Sequence, residues 1–340
     1  PGINIKNLHK WFDEAVEGLD GQLSFEQIIG GHSNLTFTVF EEAGRKWVLR
    51  RPPLGHVLAT AHDMSREHRV ISALSDSDVP VPKIIGLCTD TEINDAPFYV
   101  MEFIDGIVVR DSSIALNQPV NTRERMGRSL LQVLAILHSV NVDEVGLSDL
   151  ARHDAYIERQ LKRWLGQFEK STEREIPEIF RLHENLLKNI PPQQGVGIVH
   201  GDYRLDNTIM SSDGEVAAVL DWELCTLGDV LSDLAAIVAY SNDYASDGNQ
   251  AMSVEGFPTV EQVKELYGER SGRDLSNFDF YLSFAYWRLA CILEGVYTRY
   301  AAGVMGNEAD SDAVELFGER VLLLTELAAS TLSSFVNRKK

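Results

Sequence analysis

Three side chains in the second half of the chain have the types and the spacing that phosphoryl transfer requires. Asp202 follows a His-Gly pair, Asn207 lies five residues later, and Asp221 comes directly after the strand-like residues 216–220. An aspartate on a loop can accept the proton of an attacking hydroxyl, while an amide oxygen and a second carboxylate can hold Mg²⁺ against phosphates. An ordinary turn rich in Asp and Asn is the alternative, but such a turn does not require this order of residues. The pattern therefore predicts a phosphoryl-transfer site.

The elements around these motifs divide the chain into two parts. Up to residue 104, apolar periodicity predicts an amphipathic helix near the N-terminus, a set of antiparallel strands and one further helix. The predicted strands lie within residues 25–40 (two strands), 46–50, 84–88 and 98–103, and the further helix spans 59–74. Beyond residue 105 helices dominate, over 122–138, 155–168, 175–188, 231–240, 260–267, 278–301 and 312–335. Without a repeat or a long linker, the pattern predicts one compact unit of two lobes.

The same motifs resemble those of the aminoglycoside phosphotransferase and choline kinase superfamily, which has the protein-kinase-like fold and carries His-Gly-Asp where protein kinases carry His-Arg-Asp. Residues 228–235 (Gly-Asp-Val-Leu-Ser-Asp-Leu-Ala) and 286–290 (Tyr-Trp-Arg-Leu-Ala) are similar to the branch associated with acyl-CoA dehydrogenases. The resemblance implies an α+β, bilobal fold. It places a small antiparallel β-sheet lobe that binds nucleotide over residues 1–104. The mainly helical lobe, with the catalytic loop and the acceptor site, then spans residues 105–340.

The glycine-rich turn over residues 30–36 is the candidate for binding the phosphates of ATP. Backbone N–H groups of Gly31, Ser33 and Asn34 can approach phosphate oxygens there. Taken alone, the turn is at least as typical of a tight hairpin between two strands. It is not a Walker A loop, because no Gly-Lys-Ser/Thr follows it.

Three residues complete the predicted phosphate-donor site. Alternation puts Val48 and Arg50 on one face of the third strand, and the resemblance assigns Arg50 as the cation on the α- and β-phosphates, in place of the usual Lys. Arginine keeps the positive charge but differs from Lys in reach and geometry. Glu67 is the predicted ion-pair partner of Arg50, with a solvated glutamate on an exposed helix face as the alternative.

The resemblance also implies roles for four further residues. Backbone groups of Glu102 and Ile104 would face the adenine edge at the hinge between the lobes. His200 would support the catalytic loop, and Asp233 would accept backbone hydrogen bonds from that loop. A simple acid at a helix N-terminus is the alternative for Asp233.

The acceptor is predicted to lie against the helical lobe. Arg204 is placed to contact phosphate or acceptor, or only to cap the catalytic loop. Glu223, Tyr286 and Arg288 are the other candidates, although aromatic residues in this helix are equally expected in a core. Arg288 facing the cleft would indicate an anionic or CoA-bearing acceptor, whereas Glu223 together with Glu294 would indicate an amine-bearing one.

Composition limits the partners. The net charge of −20 over 340 residues opposes attraction to nucleic acid or to an anionic membrane, and no apolar run reaches the length of about 18 residues that a membrane span needs. The three cysteines are scattered, without C-x-x-C spacing, which fits a reducing, cytoplasmic setting. A monomer and a homodimer are both compatible with the sequence.

The sequence thus predicts a phosphotransferase that uses ATP and Mg²⁺ and acts on a hydroxyl group. A small-molecule acceptor is predicted because the Ala-Pro-Glu ending of a protein-kinase activation segment is missing. The resemblance favours a hydroxylated acyl compound or another metabolic alcohol over an aminoglycoside. A nucleotide-binding pseudokinase or regulatory module without turnover is the alternative. Arg50 in place of Lys, and Asp-Trp-Glu in place of Asp-Phe-Gly, favour it. A helical protein that binds no nucleotide is the third hypothesis.

Overall fold

The small lobe is built on one antiparallel sheet of five strands. The computed structural model of the protein describes residues 2–29, 34–54, 63–241, 251–302 and 311–339. The strands are β1 (Leu23–Gln27), β2 (Leu35–Glu41), β3 (Lys46–Arg51), β4 (Ile84–Cys88) and β5 (Phe98–Glu102). They pair in the order β1-β2-β3-β5-β4, and each neighbouring pair is antiparallel.

Two helices cover the two faces of this sheet. Helix α1 (Ile5–Ala15) begins after Asn4, whose side chain caps it, and buries Leu8 and Phe12 against one face. Helix α2 (Met64–Leu74) begins after the capping residue Asp63 and packs on the other face. The predicted beginning of this helix, at residues 59–62, lies outside the described residues.

Strand alternation decides what faces each helix. Leu49 and Val100 belong to the hydrophobic cluster under α1, whereas Val48 and Met101 belong to the core on the α2 side. Because successive side chains of a strand point to opposite faces, Arg50 lies on the same side as Val48. The sheet therefore directs the Arg50 guanidinium towards α2 and the space between the lobes.

The large lobe is mainly helical. Its helices are α4 (Ser112–Leu116), α5 (Val120–Ser139), α6 (Tyr156–Ser171), α7 (Pro177–Lys188), α8 (Leu231–Tyr240), α9 (Val260–Ser271), α10 (Phe278–Ala301) and α11 (Ser311–Arg338), while the one-turn helix α3 (Thr91–Asn94) belongs to the small lobe. Helices α8 and α10 are apolar on nearly all sides and are buried over most of their length. Apolar helices of this kind form the centre of a helical core rather than its surface.

Two short antiparallel strand pairs carry the functional loops of the large lobe. Strand β6 (Gly197–Val199) pairs with β9 (Thr226–Gly228), and β7 (Thr208–Met210) pairs with β8 (Val216–Val219). The loop after β6 holds residues 200–207, and the loop after β8 holds residues 220–225. Since each strand pair supplies one strand next to each loop, the two loops lie side by side.

The predicted fold class is confirmed, because an antiparallel small lobe is followed by a helical large lobe. The helices predicted over 231–240 and 278–301 have the predicted bounds. Helices α3 and α4 were not predicted, since helices of one turn carry no periodicity. The lobe boundary at 104/105 stays a prediction; the sheet ends at Glu102, and Ile107 already pairs with Met210 of the large lobe. None of the described helices is long and apolar enough to cross a bilayer.

Candidate active site

A cleft of about 680 Å³ lies between the lobes, and both lobes line it. Val48, Met101 and Ile104 form part of its apolar wall. Its charged and amide-bearing lining residues are Arg50, Glu102, Arg110, Asp202, Arg204, Asp206, Asn207, Asp221 and Glu223. Asp202, Asn207 and Asp221, the first candidates from the sequence, therefore line one cleft.

Gly201 gives the catalytic loop a shape that other residues resist. Its φ is +88°, in the left-handed region, and a Cβ atom on it would lie 2.8 Å from the backbone oxygen of Leu224. Both the angle and the close approach favour glycine. The loop between β6 and β7 can therefore lie directly against the loop that follows Asp221.

Asp233 binds the backbone at the beginning of the catalytic loop. It is 1% exposed, and its two carboxylate oxygens accept the backbone N–H groups of His200 at 2.7 Å and Gly201 at 3.0 Å. His200 is fully buried; its Nδ1 accepts the Asp202 N–H at 3.2 Å, so that Nε2 carries the hydrogen donated to the Leu220 oxygen at 2.9 Å. This single imidazole therefore connects Asp202 with the backbone directly before Asp221.

His138 and Tyr267 extend this network, and the sequence reasoning missed both. The Tyr267 hydroxyl lies 2.8 Å from His138 Nδ1, and His138 Nε2 lies 3.4 Å from Asp233. Burial lowers the pKa of His138, which keeps the ring neutral. Burial alone would raise the pKa of Asp233, but the hydrogen bonds from His138 and from the Gly201 N–H hold it below the usual value. Asp233 thus stays an ionised acceptor for the loop.

Asn207 orients Asp202. Its Nδ2 donates to the Asp202 backbone oxygen and to Asp202 Oδ2, both at 2.8 Å, which leaves the amide oxygen of Asn207 for another ligand. Arg204 spans two acids, with Nε 3.2 Å from Asp202 and Nη2 3.0 Å from Asp206. Burial raises the pKa of Asp206, a cleft residue that the sequence reasoning overlooked although it lies within the motif.

Arg50 joins the two lobes through two ion pairs. Its Nε lies 3.1 Å from Glu67, and its Nη2 lies 2.6 Å from Asp221. Glu67 is 2% exposed and also accepts the Tyr99 hydroxyl at 3.0 Å. Burial, opposed by Arg50, raises the pKa of Glu67 to about 7. The structure thus brings together the predicted pair and adds Asp221, which has a left-handed φ of 62°.

Asn34 contacts carboxylates with its side chain. It is buried, and its Nδ2 donates to Glu67 at 3.0 Å and to Glu223 at 3.4 Å. The Nδ2 group of this side chain is therefore engaged by carboxylates, and the predicted phosphate contact remains one for the backbone N–H. Gly31 and Ser33, the other predicted phosphate contacts, lie outside the described residues.

The hinge residues border the cleft as the resemblance implies. Val48, Glu102 and Ile104 all line it. The Glu102 N–H already donates to the Lys83 oxygen at 2.8 Å, so Glu102 can offer a ligand only its carbonyl oxygen. Adenine recognition by these groups stays a prediction.

Two acceptor candidates on α10, Tyr286 and Arg288, lie outside the lining of this cleft, and their acceptor role stays a prediction. Tyr286 is 7% exposed and packs in the core. Arg288 donates from Nη2 to the Gly201 oxygen at 2.9 Å and lies over the Trp164 ring at 5.0 Å, so it supports the catalytic loop. Neither residue lines the cleft. Glu294, fully buried and paired with Arg174, cannot meet an amine either. Helical periodicity could not show which side of an apolar helix faces a ligand.

The donor set of the cleft fits Mg²⁺. Among the residues that the structure describes, no three His, Cys, Asp or Glu side chains form a metal-binding group. Asn207 and Asp221 supply one amide oxygen and one carboxylate instead. Mg²⁺ commonly binds one or two protein oxygens and completes its shell with water and phosphate oxygens, so this smaller set is sufficient.

Comparison with known proteins identifies the family. Residues 24–265 match the model of the phosphotransferase enzyme family. Acyl-CoA dehydrogenase family member 10 of Mus musculus is 37% identical over 316 residues, covering 91% of this chain but 29% of that protein. The chain spans less than half the length of the first curated relatives that it matches.

Solved structures agree with this assignment. The crystal structure of a candidate aminoglycoside phosphotransferase from Ralstonia eutropha JMP134 is 32% identical, with a TM-score of 0.82 over 97% of this chain and 98% of that one. The aminoglycoside phosphotransferase APH(4)-Ia, in a complex with AMP-PNP and hygromycin B, is 14% identical, with a TM-score of 0.61 over 94% and 98%; this likeness is one of fold. The resemblance inferred from the motifs is confirmed. The chain belongs to the phosphotransferase enzyme family and has a bilobal, protein-kinase-like fold.

Proposed function

We propose that the chain transfers the γ-phosphoryl group of ATP, in the presence of Mg²⁺, to a hydroxyl of a small molecule. The observation that carries this proposal is the convergence of Asp202, Arg50 and Asp221 on one cleft lined by both lobes. Phosphoryl transfer depends mainly on positioning and on stabilising negative charge. A cation, a candidate base and two metal-ligand oxygens in one cleft meet those needs.

Asp202 is the proposed base. Asn207 holds one carboxylate oxygen and Arg204 lies beside the other, so the group is oriented before an acceptor arrives. Asp202 then accepts the hydroxyl proton as the acceptor oxygen attacks phosphorus. Mg²⁺, bound by Asn207 and Asp221, would offset the negative charge of the phosphates.

Arg50 is the proposed phosphate cation. Glu67 fixes its Nε, while the contact of Nη2 with Asp221 is one that a phosphate oxygen can replace. Arginine binds phosphate oxygens in a planar, bidentate manner. The change from Lys to Arg is therefore compatible with catalysis.

For the acceptor we favour a hydroxylated acyl compound or another metabolic alcohol over an aminoglycoside. Relatives at 37% and 33% identity are named as acyl-CoA dehydrogenase family members. The lining of the cleft is also mixed in charge, since it includes Arg110 and Arg204 as well as Asp206 and Glu223. A polycationic antibiotic is matched better by a uniformly acidic surface.

A screen of MgATP consumption tests the proposal. Hydroxyacyl-CoAs, free hydroxy acids, amino alcohols and aminoglycosides would be compared at equal concentration, with product phosphorylation read by mass spectrometry. Turnover of a hydroxylated acyl compound is expected. Turnover of aminoglycosides alone would overturn the acceptor assignment. MgATP binding without turnover of any compound would favour the pseudokinase alternative, which the Arg50 and Asp-Trp-Glu departures from the usual motifs support.

A further inference from the structure

We propose that Arg66 is a positioning residue that fixes helix α2, and therefore Glu67, to the large lobe. The inference rests on the proposed function, because Glu67 matters there as the partner of Arg50. In many kinases the helix that carries this glutamate moves, and its position controls activity. Here the contacts of α2 hold it in the paired position without a regulatory input.

Arg66 bridges two separate parts of the large lobe. Its Nη1 donates to the Leu150 oxygen at 3.0 Å, and its Nη2 donates to the Cys225 oxygen at 2.9 Å. Leu150 lies in the connection between α5 and α6, whereas Cys225 lies in the loop that begins at Asp221. The guanidinium therefore connects α2 to the same loop that carries the candidate metal ligand.

Both acceptors of Arg66 are backbone carbonyl oxygens. Their presence therefore does not depend on phosphorylation or on the rotamer of a side chain. A planar guanidinium offers donors in two directions at once, whereas the ammonium of a lysine is a single point on a flexible stem. Arginine is thus the residue that can hold both carbonyls together.

The apolar side of α2 points to the same conclusion. Met64, Val70, Ile71 and Leu74 are each at most 2% exposed, and they belong to the hydrophobic core that extends through the large-lobe helices. Helix α1, in contrast, packs in a separate cluster with the opposite face of the sheet. The apolar face of α2 thus belongs to a core that is continuous with that of the large lobe.

The loop on the other side of the contact is also held in place. Trp222 is fully buried and donates from Nε1 to the Val219 oxygen at 3.1 Å. Its backbone oxygen accepts the Cys225 N–H at 3.0 Å. Arg66 thus connects α2 to a loop whose own conformation is fixed, and Glu67, the next residue, is kept within reach of Arg50.

Arg66→Gln tests this role, with Arg69→Gln as the matched control. Arg69 is on the same helix and also contacts the large lobe, but through an exposed pair with Asp149 and a bond to the Gly146 oxygen. We expect Arg66→Gln to lower kcat/KM for ATP at least about tenfold, Arg66→Lys to recover part of the loss, and Arg69→Gln to stay within about twofold of wild type.

A double variant separates positioning from general stability. If Arg66 acts through Glu67, Arg66→Gln combined with Glu67→Gln should be no less active than Glu67→Gln alone. Hydrogen exchange of the α2 backbone, measured without ligand, should be faster in Arg66→Gln and unchanged in Arg69→Gln. This readout needs no turnover, so it tests Arg66 even if the proposed reaction fails. Additive losses in the double variant, or unchanged exchange in α2, would overturn the inference.

Discussion

Replacing Arg50 tests whether one cation organises the donor side of the cleft. The guanidinium contacts Glu67 through Nε and Asp221 through Nη2, at 3.1 Å and 2.6 Å. A lysine ammonium at this position can reach one of the two carboxylates, whereas alanine reaches neither. We therefore expect a graded loss of activity, with Arg50→Lys intermediate and Arg50→Ala nearly inactive.

The size of each step follows from these contacts. A hydrogen bond to a charged group contributes about 1.5–3 kcal/mol. The loss in Arg50→Lys of one such bond, from Nη2 to Asp221 or to the phosphate that replaces it, corresponds to a kcat/KM for ATP lower by about 10- to 100-fold. Arg50→Ala loses both ion pairs and the phosphate contact, which corresponds to about 10³-fold or more. It also leaves Glu67, 2% exposed, without its cation, at a cost in folding stability of about 3–5 kcal/mol.

Initial rates against ATP concentration and denaturant unfolding measure the two effects. Arg51→Lys is the matched control: Arg51 is buried on the opposite side of β3, where it donates to the backbone oxygens of Gly2 and Asn94. Glu67→Gln added to Arg50→Ala should restore part of the stability but not the activity. If Arg50→Ala keeps kcat/KM within about threefold of wild type, the assignment of Arg50 to the phosphates is refuted.

Three further outcomes are expected. Burial raises the pKa of Glu67 from 4.5 to about 7, so the wild type should lose up to about 3 kcal/mol of stability as pH rises through this range, and calorimetry should find that loss absent in Glu67→Gln. At Gly201 φ is +88°, and a new Cβ would lie 2.8 Å from the Leu224 oxygen. Gly201→Ala should therefore lower the free energy of unfolding in denaturant by about 1–3 kcal/mol, and unchanged stability would show that the loop can relax. Asp221→Asn should abolish the Mg²⁺-dependent part of ATP binding in titration calorimetry, and normal MgATP binding would place the metal elsewhere.

Short-range features of the site could be predicted from the sequence. Asp202, Asn207 and Asp221 lie on two neighbouring loops that are close in the chain, so their spacing carries most of the geometry. Strand alternation likewise gave the side of the sheet that Arg50 faces. Glu67 followed from an amphipathic helix directly after that strand.

Long-range partnerships could not be predicted in this way. His138 is 95 residues from Asp233, and nothing near either residue in the sequence marks the pair. The orientation of α10 was equally hidden, because an apolar helix that is buried on most sides has no dominant polar face. For this reason the contact of Arg288 with the Gly201 oxygen could not be predicted from the sequence.

Asp202→Asn tests the central claim most directly. If Asp202 acts on the acceptor hydroxyl, the variant should bind MgATP within a few-fold of wild type, while kcat with the preferred acceptor falls on the order of 10²-fold or more. Asparagine keeps the shape of the side chain, but it has one oxygen only and therefore cannot present an oxygen to Asn207 and to Arg204 at once. MgATP titration and steady-state kinetics on the same preparation give both values. An unchanged kcat would remove Asp202 from the mechanism and contradict the proposed phosphoryl-transfer site.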